Sequence, residues 1–300
     1  MTDVVVALDV GGTSIKCALV DNAGRVLLDN RVPTGRERGP DAVVDTILTT
    51  AADLAATGGY TPRAVGLVVP GVIDADDGVA VYASNLGWRD VPLRQLTQEK
   101  VGLPTALGHD VRAGGLAEAR MGGGRGSRQL LFVAIGTGIA GAHIIDGVPA
   151  PGAHGSACEL GHVVVRPDGP QCGCGQHGCV ESMASAVTFE RRYAEAAGHH
   201  RPAADIIAAV GDDPVARHVW DETVDVLADG LLIGIAMVDP DTIVVGGGLA
   251  EAGDRLLEPL TAALRQRVTF HRMPRVVRAE LGDAAGCIGA ALLGWERVDT

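Results

Sequence analysis

The sequence predicts an α/β protein of two domains, and three observations carry that expectation. Short apolar runs with the look of buried strands are mixed with longer segments of helical composition. The chain has 300 residues, enough for two ordinary domains at roughly 150 residues each. One unit of organisation also occurs twice: strand, glycine and threonine turn, strand, acidic turn.

The first copy opens with Val4-Val5-Val6-Ala7-Leu8, then Asp9-Val10-Gly11-Gly12-Thr13, then Ile15 to Val20. Asp21-Asn22-Ala23-Gly24 supplies turn chemistry and leads into Arg25-Val26-Leu27-Leu28, so a β-meander is expected. Asp41 to Ala56 has helical composition, and Ala64 to Val69 reads as a strand stopped by Pro70-Gly71. The second copy runs from Leu131 to Ile135, through Gly136-Thr137-Gly138, and on from Ile139 to Ile145 before Asp146-Gly147. Helices are expected over Arg112 to Met121, Ala184 to Ala197 and Val215 to Val238, the last one buried. Thr242 to Val245 is a strand before a third glycine turn, Gly246-Gly247-Gly248. The tail from Ala284 to Val298 suits a helix packing back on the first domain. The expected division is residues 1–108 plus about 287–300 for the smaller domain and 109–286 for the larger.

Hydrophobic residues make up 47% of the chain, so a real core is available. Aromatics are only 3%, which leaves that core to Ala, Val, Leu and Ile. A net charge of −12 argues against a nucleic-acid surface, because phosphates are neutralised by Lys and Arg. A phosphate site here should rely on backbone N–H groups, helix termini and a metal. The sequence shows no membrane span and no secretory leader, so a reducing, cytoplasmic setting is expected.

Glycine turns after strands bring backbone N–H groups close to phosphate oxygens, since no Cβ obstructs the approach. Asp9-x-Gly11-Gly12-Thr13-x-x-Lys16 adds an acid for Mg²⁺ or its waters, a hydroxyl and a cation. Lys16 is one of only two lysines, the other being Lys100, which makes its place in that turn conspicuous. Neither a Walker P-loop nor a dinucleotide fingerprint is present, since a strand follows Gly11-Gly12.

The most specific local feature is Cys172-Gly-Cys174-Gly-Gln-His-Gly-Cys179. Three thiolates so spaced can close around a tetrahedral ion, with His162 or His177 as the fourth ligand, and Zn²⁺ suits that set. Glu159 and Glu181 bracket the knot, and held in place there they could accept hydrogen bonds from sugar hydroxyls. Asp110, after the short apolar stretch Ala106-Leu107-Gly108, is either a general base for a hydroxyl or a helix N-cap.

Together these segments resemble the ROK sugar kinases of the hexokinase and actin-like ATPase superfamily, almost end to end. The resemblance rests on Asp9-Val-Gly-Gly-Thr-Ser-Ile-Lys16, Pro70-Gly71-Val72-Ile73-Asp74 and Asn85-Leu86-Gly87-Trp88. It continues through Ile135 to Gly141, Glu159-Leu-Gly-His162, the cysteine knot with Glu181, Val245 to Leu249 and Gly282-Asp-Ala-Ala-Gly286. It implies a duplicated actin-like (ribonuclease H-like) fold of two domains with an interdomain cleft. It also implies ATP phosphates at Asp9, Gly11, Gly12, Thr13, Lys16, Gly136, Thr137 and Gly138, with adenosine near Gly246, Gly247 and Gly248.

By the same resemblance the sugar meets Asn85, His109, Asp110, Glu159, His162 and Glu181. Asp110 is then the base, and His162, Cys172, Cys174 and Cys179 hold a structural Zn²⁺. The implied partners are a hexose and Mg²⁺-ATP, in a homodimer or homotetramer with neither nucleic acid nor membrane. Sugar-binding repressors of the family carry an extra N-terminal helix-turn-helix domain, and here Val4 already begins the first core strand. The family usually has Asn-Asp where this chain has His109-Asp110, so the hydroxyl pattern recognised should be its own. Glucose, at its C6 hydroxyl, is the default acceptor; the alternatives are N-acetylmannosamine, N-acetylglucosamine or another hexose, or a catalytically silent sugar-sensing protein of the same family.

Overall fold

The computed structural model describes residues 1–298, which divide into two compact units. The first comprises Met1–Ala117, Pro151–Ser156 and the segment from Asp283 onward; the second comprises Glu118–Ala150 and Ala157–Gly282.

In the first unit β1 (Thr2–Val10), β2 (Ser14–Val20) and β3 (Val26–Pro33) form the expected antiparallel meander. The carboxylate of Asp21 accepts from the N–H groups of Ala23 and Arg25, which closes the second turn. After α1 (Pro40–Ala55), β4 (Tyr60–Val69) lies parallel to β1. A small antiparallel sheet of β5 (Val72–Asp74), β6 (Val79–Ala83) and β7 (Trp88–Val91) comes next. Then come α2 (Leu93–Val101), β8 (Thr105–His109) and α3 (Asp110–Met121). The main sheet has the order β3-β2-β1-β4-β8.

The second unit contains β9 (Gln129–Ile135), β10 (Ile139–Ile145) and β11 (Val148–Pro149). It continues with α4 (Val180–Ala184), α5 (Ala186–Ala197), α6 (Ala203–Ala209) and α7 (Pro214–Val238). It ends with β12 (Thr242–Gly246), α8 (Asp254–Arg267) and β13 (Arg275–Arg278). Its sheet has the order β11-β10-β9-β12-β13, which repeats the first sheet strand for strand. The expected single helix from Ala184 breaks at Ser185, whose extended backbone ends α4 and whose hydroxyl accepts from Thr188 N–H to start α5. α7 begins where Asp213 accepts from Val215 and Ala216 N–H, and its Trp220 packs edge-on to Phe189 of α5. Glu118 is fully buried, and its carboxylate accepts from the N–H groups of Gly123, Glu280 and Leu281. Paired in this way, a buried carboxylate is tolerated.

The last helix, α9 (Ala285–Trp295), belongs to the first unit. Both faces of β1 are buried: Val4, Val6, Leu8 and Val10 face Val43 and Ile47 of α1, while Val5 and Ala7 face Cys287, Ala290 and Ala291 of α9. A Cβ on Gly66 would stand 1.8 Å from the Ala290 carbonyl oxygen, so α9 lies directly on the backbone of β4. Trp295 donates its indole N–H to the Asp21 carbonyl at 3.1 Å and fastens the helix end to the β2–β3 turn.

The first boundary falls between Ala117 and Glu118, inside α3, instead of after Gly108. The reason is packing: Ala113 shares the core of Val5, Ala7 and Ala290. The strap Pro151–Ser156 also joins the first unit, and the C-terminal segment starts at Asp283, ahead of the expected 287. Residues 299 and 300 of that expected range lie outside the described residues. No helix among the described residues is long and apolar enough to cross a membrane.

Candidate active site

The antiparallel register sets Asp9 opposite Lys16 and Lys16 opposite Arg31, so three charged side chains stand in a row across β1, β2 and β3. Lys16 Nζ lies 3.7 Å from Asp9 Oδ2 and 3.1 Å from Asp283 Oδ1. Arg31 pairs with the other oxygen of Asp283. Asp283 and Arg31 were invisible as site residues in the sequence, although Gly282-Asp283 stands inside a recognised segment. A Cβ on Gly286 would come 2.2 Å from Asp9 Oδ2, so only glycine lets the carboxylate rest against the start of α9. Burial pushes the Asp9 carboxyl up to about 6 against the pull of Lys16.

The turn after β1 is held from behind. The buried Thr34 hydroxyl donates to the Gly11 carbonyl at 2.8 Å, and Thr34 N–H donates to the carbonyl of Thr13. Asn85, on the β6–β7 turn, comes close to this loop, with its Nδ2 3.5 Å from where a Gly12 Cβ would be.

Asp110 is the first residue of α3, not its cap. His109 does the capping: its Nδ1 accepts from Arg112 N–H at 3.4 Å, as an Asn side-chain oxygen would. The same Nδ1 stands 3.3 Å from Asp110 Oδ1. Asp110 Oδ1 accepts from Val111 N–H at 2.7 Å, and its carboxyl is raised by burial, against the influence of that N–H and of Arg112. A carboxyl raised towards neutrality is suited to accept a proton from a hydroxyl. The Asp9 charge also acts on this group of residues, since Asp110 contributes to the elevation of Asp9.

In the second unit Gly136, Thr137 and Gly138 form the β9–β10 turn, and Gly136 N–H donates to the Gly138 carbonyl at 2.9 Å. Glu181 Oε2 accepts from Ile139 N–H at 2.8 Å and rests on Gly138, so one oxygen of this acid is committed to the turn. Gly246 ends β12, and Gly247 lies against the backbone of Ile135, where a Cβ would be 2.5 Å from its oxygen. The structure thus brings the two glycine turns of this unit side by side. A recess of about 360 Å³ opens beside Thr137, lined also by Cys172, Glu181, Ser185, Thr188 and Arg191. Glu159 is exposed just ahead of the short 3₁₀ turn Leu160–His162.

That turn delivers His162 to the cysteine knot. The ligand atoms of His162, Cys172 and Cys174 all lie within 4.8 Å of one another, and Cys179 Sγ is 3.7 Å from Cys174 Sγ. His162 Nδ1 is 3.6 Å from Cys172 Sγ, whereas His177 turns its Nδ1 towards the Gly169 carbonyl, so of the two histidines it is His162 that stands beside the thiols. Backbone bonds shape the knot, with Cys172 N–H donating to Gln176 and Gly178 N–H to Pro170. Burial and the two neighbouring sulfurs push Cys179 up to about 12, while Cys174 falls to about 7, chiefly through the Gln176 N–H. Three thiols crowded in this way all ionise together only beside a cation, and a Cys₃His donor set fits Zn²⁺ with no open position.

Residues 5–297 match the family model described as ROK family. The chain is 32% identical to a glucokinase of Streptomyces coelicolor, over 97% of each chain. It is also 32% identical to an N-acetyl-D-glucosamine kinase of Escherichia coli O157:H7, over 95% of this chain and 97% of that one. Among solved structures it is similar to a ROK family glucokinase from Streptomyces griseus in complex with glucose and AMPPNP. That likeness has a TM-score of 0.85 at 31% identity and covers 98% of this chain and 99% of the other.

Proposed function

The chain belongs to the ROK family, and on that premise we propose that this ATP-dependent sugar kinase transfers the γ-phosphoryl group to the C6 hydroxyl of glucose, with Asp110 as the general base. The observation that carries the proposal is Asp110 itself, a carboxyl of raised proton affinity in the same unit as the Asp9–Lys16 pair.

In this reading Asp110 takes the proton of the attacking hydroxyl as it approaches the γ-phosphorus in line. Lys16, the N–H groups around Gly12 and Thr13, and the turn Gly136-Thr137-Gly138 serve the negative oxygens of the nucleotide, with Gly246 to Gly248 near the adenosine. Asp9 is the residue suited to hold Mg²⁺ or its waters, and Mg²⁺ bound with ATP supplies charge neutralisation on the phosphates. Asn85, His109, Glu159, His162 and Glu181 orient the sugar. Zn²⁺ on His162, Cys172, Cys174 and Cys179 serves structure alone. A cytoplasmic setting and a homodimer or homotetramer remain part of the same reading, as does the absence of nucleic-acid and membrane partners.

A second acceptor class is favoured by a specific observation. His109 stands where the family usually carries Asn, and a neutral imidazole meets a ring hydroxyl or an acetamido group with a reach and shape different from an amide's. N-acetylglucosamine or N-acetylmannosamine is therefore the alternative acceptor.

The test is coupled ADP release with MgATP across glucose, N-acetylglucosamine, N-acetylmannosamine and other hexoses, with polyphosphate as a second donor. Turnover on glucose that yields the 6-phosphate supports the first reading. Turnover confined to the N-acetylhexosamines moves the acceptor, and silence on every sugar with either donor sinks the kinase.

A further inference from the structure

Arg36 stands beside the turn that follows β1, in the same unit. Its Nη1 lies 3.9 Å from where a Gly12 Cβ would be. The backbone holds it there. β3 ends with Pro33 paired to Ser14, and Thr34 is then stitched to the turn twice, its N–H to the Thr13 carbonyl and its hydroxyl to the Gly11 carbonyl. Gly35 is buried and left-handed at φ 71°, and it swings the chain into the 3₁₀ turn Arg36–Arg38. Arg38 N–H donates to the Gly35 carbonyl and Gly39 N–H to that of Arg36, which closes the turn. Arg36 therefore leaves the chain two residues after an anchor on the Gly11–Thr13 turn itself.

The cations in this neighbourhood are not equivalent. Lys16 is engaged by Asp9 and Asp283, and Arg31 by Asp283. Arg38 gives its Nη2 to the Thr46 hydroxyl at 2.9 Å and folds over Gly35. Arg36 is exposed, and among the described residues no carboxylate pairs with it and its guanidinium makes no hydrogen bond. A guanidinium with its fork open suits a phosphoryl group, whose two oxygens can accept parallel N–H bonds.

We propose that Arg36 is a donor-binding residue: its guanidinium takes oxygens of the phosphoryl donor at the Gly11–Thr13 turn, and adds the unpaired positive charge that Lys16, held between two carboxylates, lacks. That the anion is a phosphoryl donor rests on the kinase reading.

The experiment compares wild type with Arg36→Gln and Arg36→Lys by steady-state kinetics, with Arg63→Gln as the control for lost charge. Arg63 is exposed at the other end of the sheet, where β4 runs beside Val4 and Val5 instead of Asp9. Loss of a charge-assisted bond should lower kcat/KM for ATP about 10–100-fold in Arg36→Gln. The sugar KM and the melting temperature should hold, since the side chain has no bond within the protein to lose. Arg36→Lys should recover part of kcat/KM, and it replaces the Gln variant in every comparison if that variant does not fold. An unchanged kcat/KM for ATP overturns the proposal, and so does an equal fall in Arg63→Gln, which would reduce the effect to net charge. A change confined to the sugar KM overturns it as well, because Arg36 would then serve the acceptor. If wild type phosphorylates no sugar, the kinase reading fails by itself. Calorimetric titration of MgAMPPNP into the same variants still decides the role of Arg36, with equal affinities counting against it.

Discussion

The two five-stranded sheets have the same strand order and the same glycine turn between their first two strands, yet they are furnished very differently. The turn after β1 is ringed by charge: Asp9, Lys16, Arg31 and Asp283 form one chain of ion pairs, and Asp110 feels it. The turn after β9 offers backbone N–H groups and a threonine, with Glu181 as the acid that rests on it. Duplication therefore fixes where the turns are and leaves open what they carry. The first copy carries a chain of charged side chains, and the second carries polar groups and the cysteine knot.

That contrast breaks most sharply at Asp110. Asp110→Asn should lower kcat by ~10²–10⁴, whereas Thr137→Ala in the other copy should cost about 10-fold. Comparable losses from both would erase the division of labour. Next in size is the knot, which exists in the second copy alone: Cys172→Ser should lose zinc and melt about 10 °C or more below wild type. Elemental analysis with scanning calorimetry reads this, and a metal-free variant as stable as wild type would take the knot out of the account.

The smallest effect concerns the burden that charge places on the first copy. Asp9 is raised from 3.8 to about 6, so the folded protein holds that proton more tightly than the unfolded chain. Stability from this group is complete below pH 3.8 and is lost as the pH rises through about 6. Asp9→Asn should therefore be about 1–3 kcal/mol more stable than wild type at pH 8, with the gap closing near pH 4. Equal urea midpoints at both pH values would show that Lys16 fully offsets the burial.

Much of this contrast was legible in the sequence, because local chemistry wrote it. The meander, the second strand–turn–strand unit and the long helix followed from apolar runs and turn residues, and the knot followed from cysteine spacing. Long-range partners left no local mark. Asp283 meets Lys16 across 267 positions, and Arg112 meets Gly155 across 43. The break at Ser185 was hidden for another reason: Ala184 and Ala186 suit a continuous helix, and only the Ser185 hydroxyl bonded to Thr188 N–H favours a fresh start. Of the two roles the sequence left open for Asp110, that of N-cap does not hold, since Asp110 is the first residue of α3 and the His109 ring lies against the Arg112 N–H.

The position of α9 has a consequence for the order in which the molecule is made. β1 is made well before α9, the helix that covers one of its faces together with Ala113 of α3, and Gly286 of that helix is the seat of Asp9. At ordinary elongation rates the interval between them is on the order of tens of seconds. Throughout that time the nascent chain carries a half-dressed sheet, so the seat of Asp9 matures late although Asp9 itself is made early.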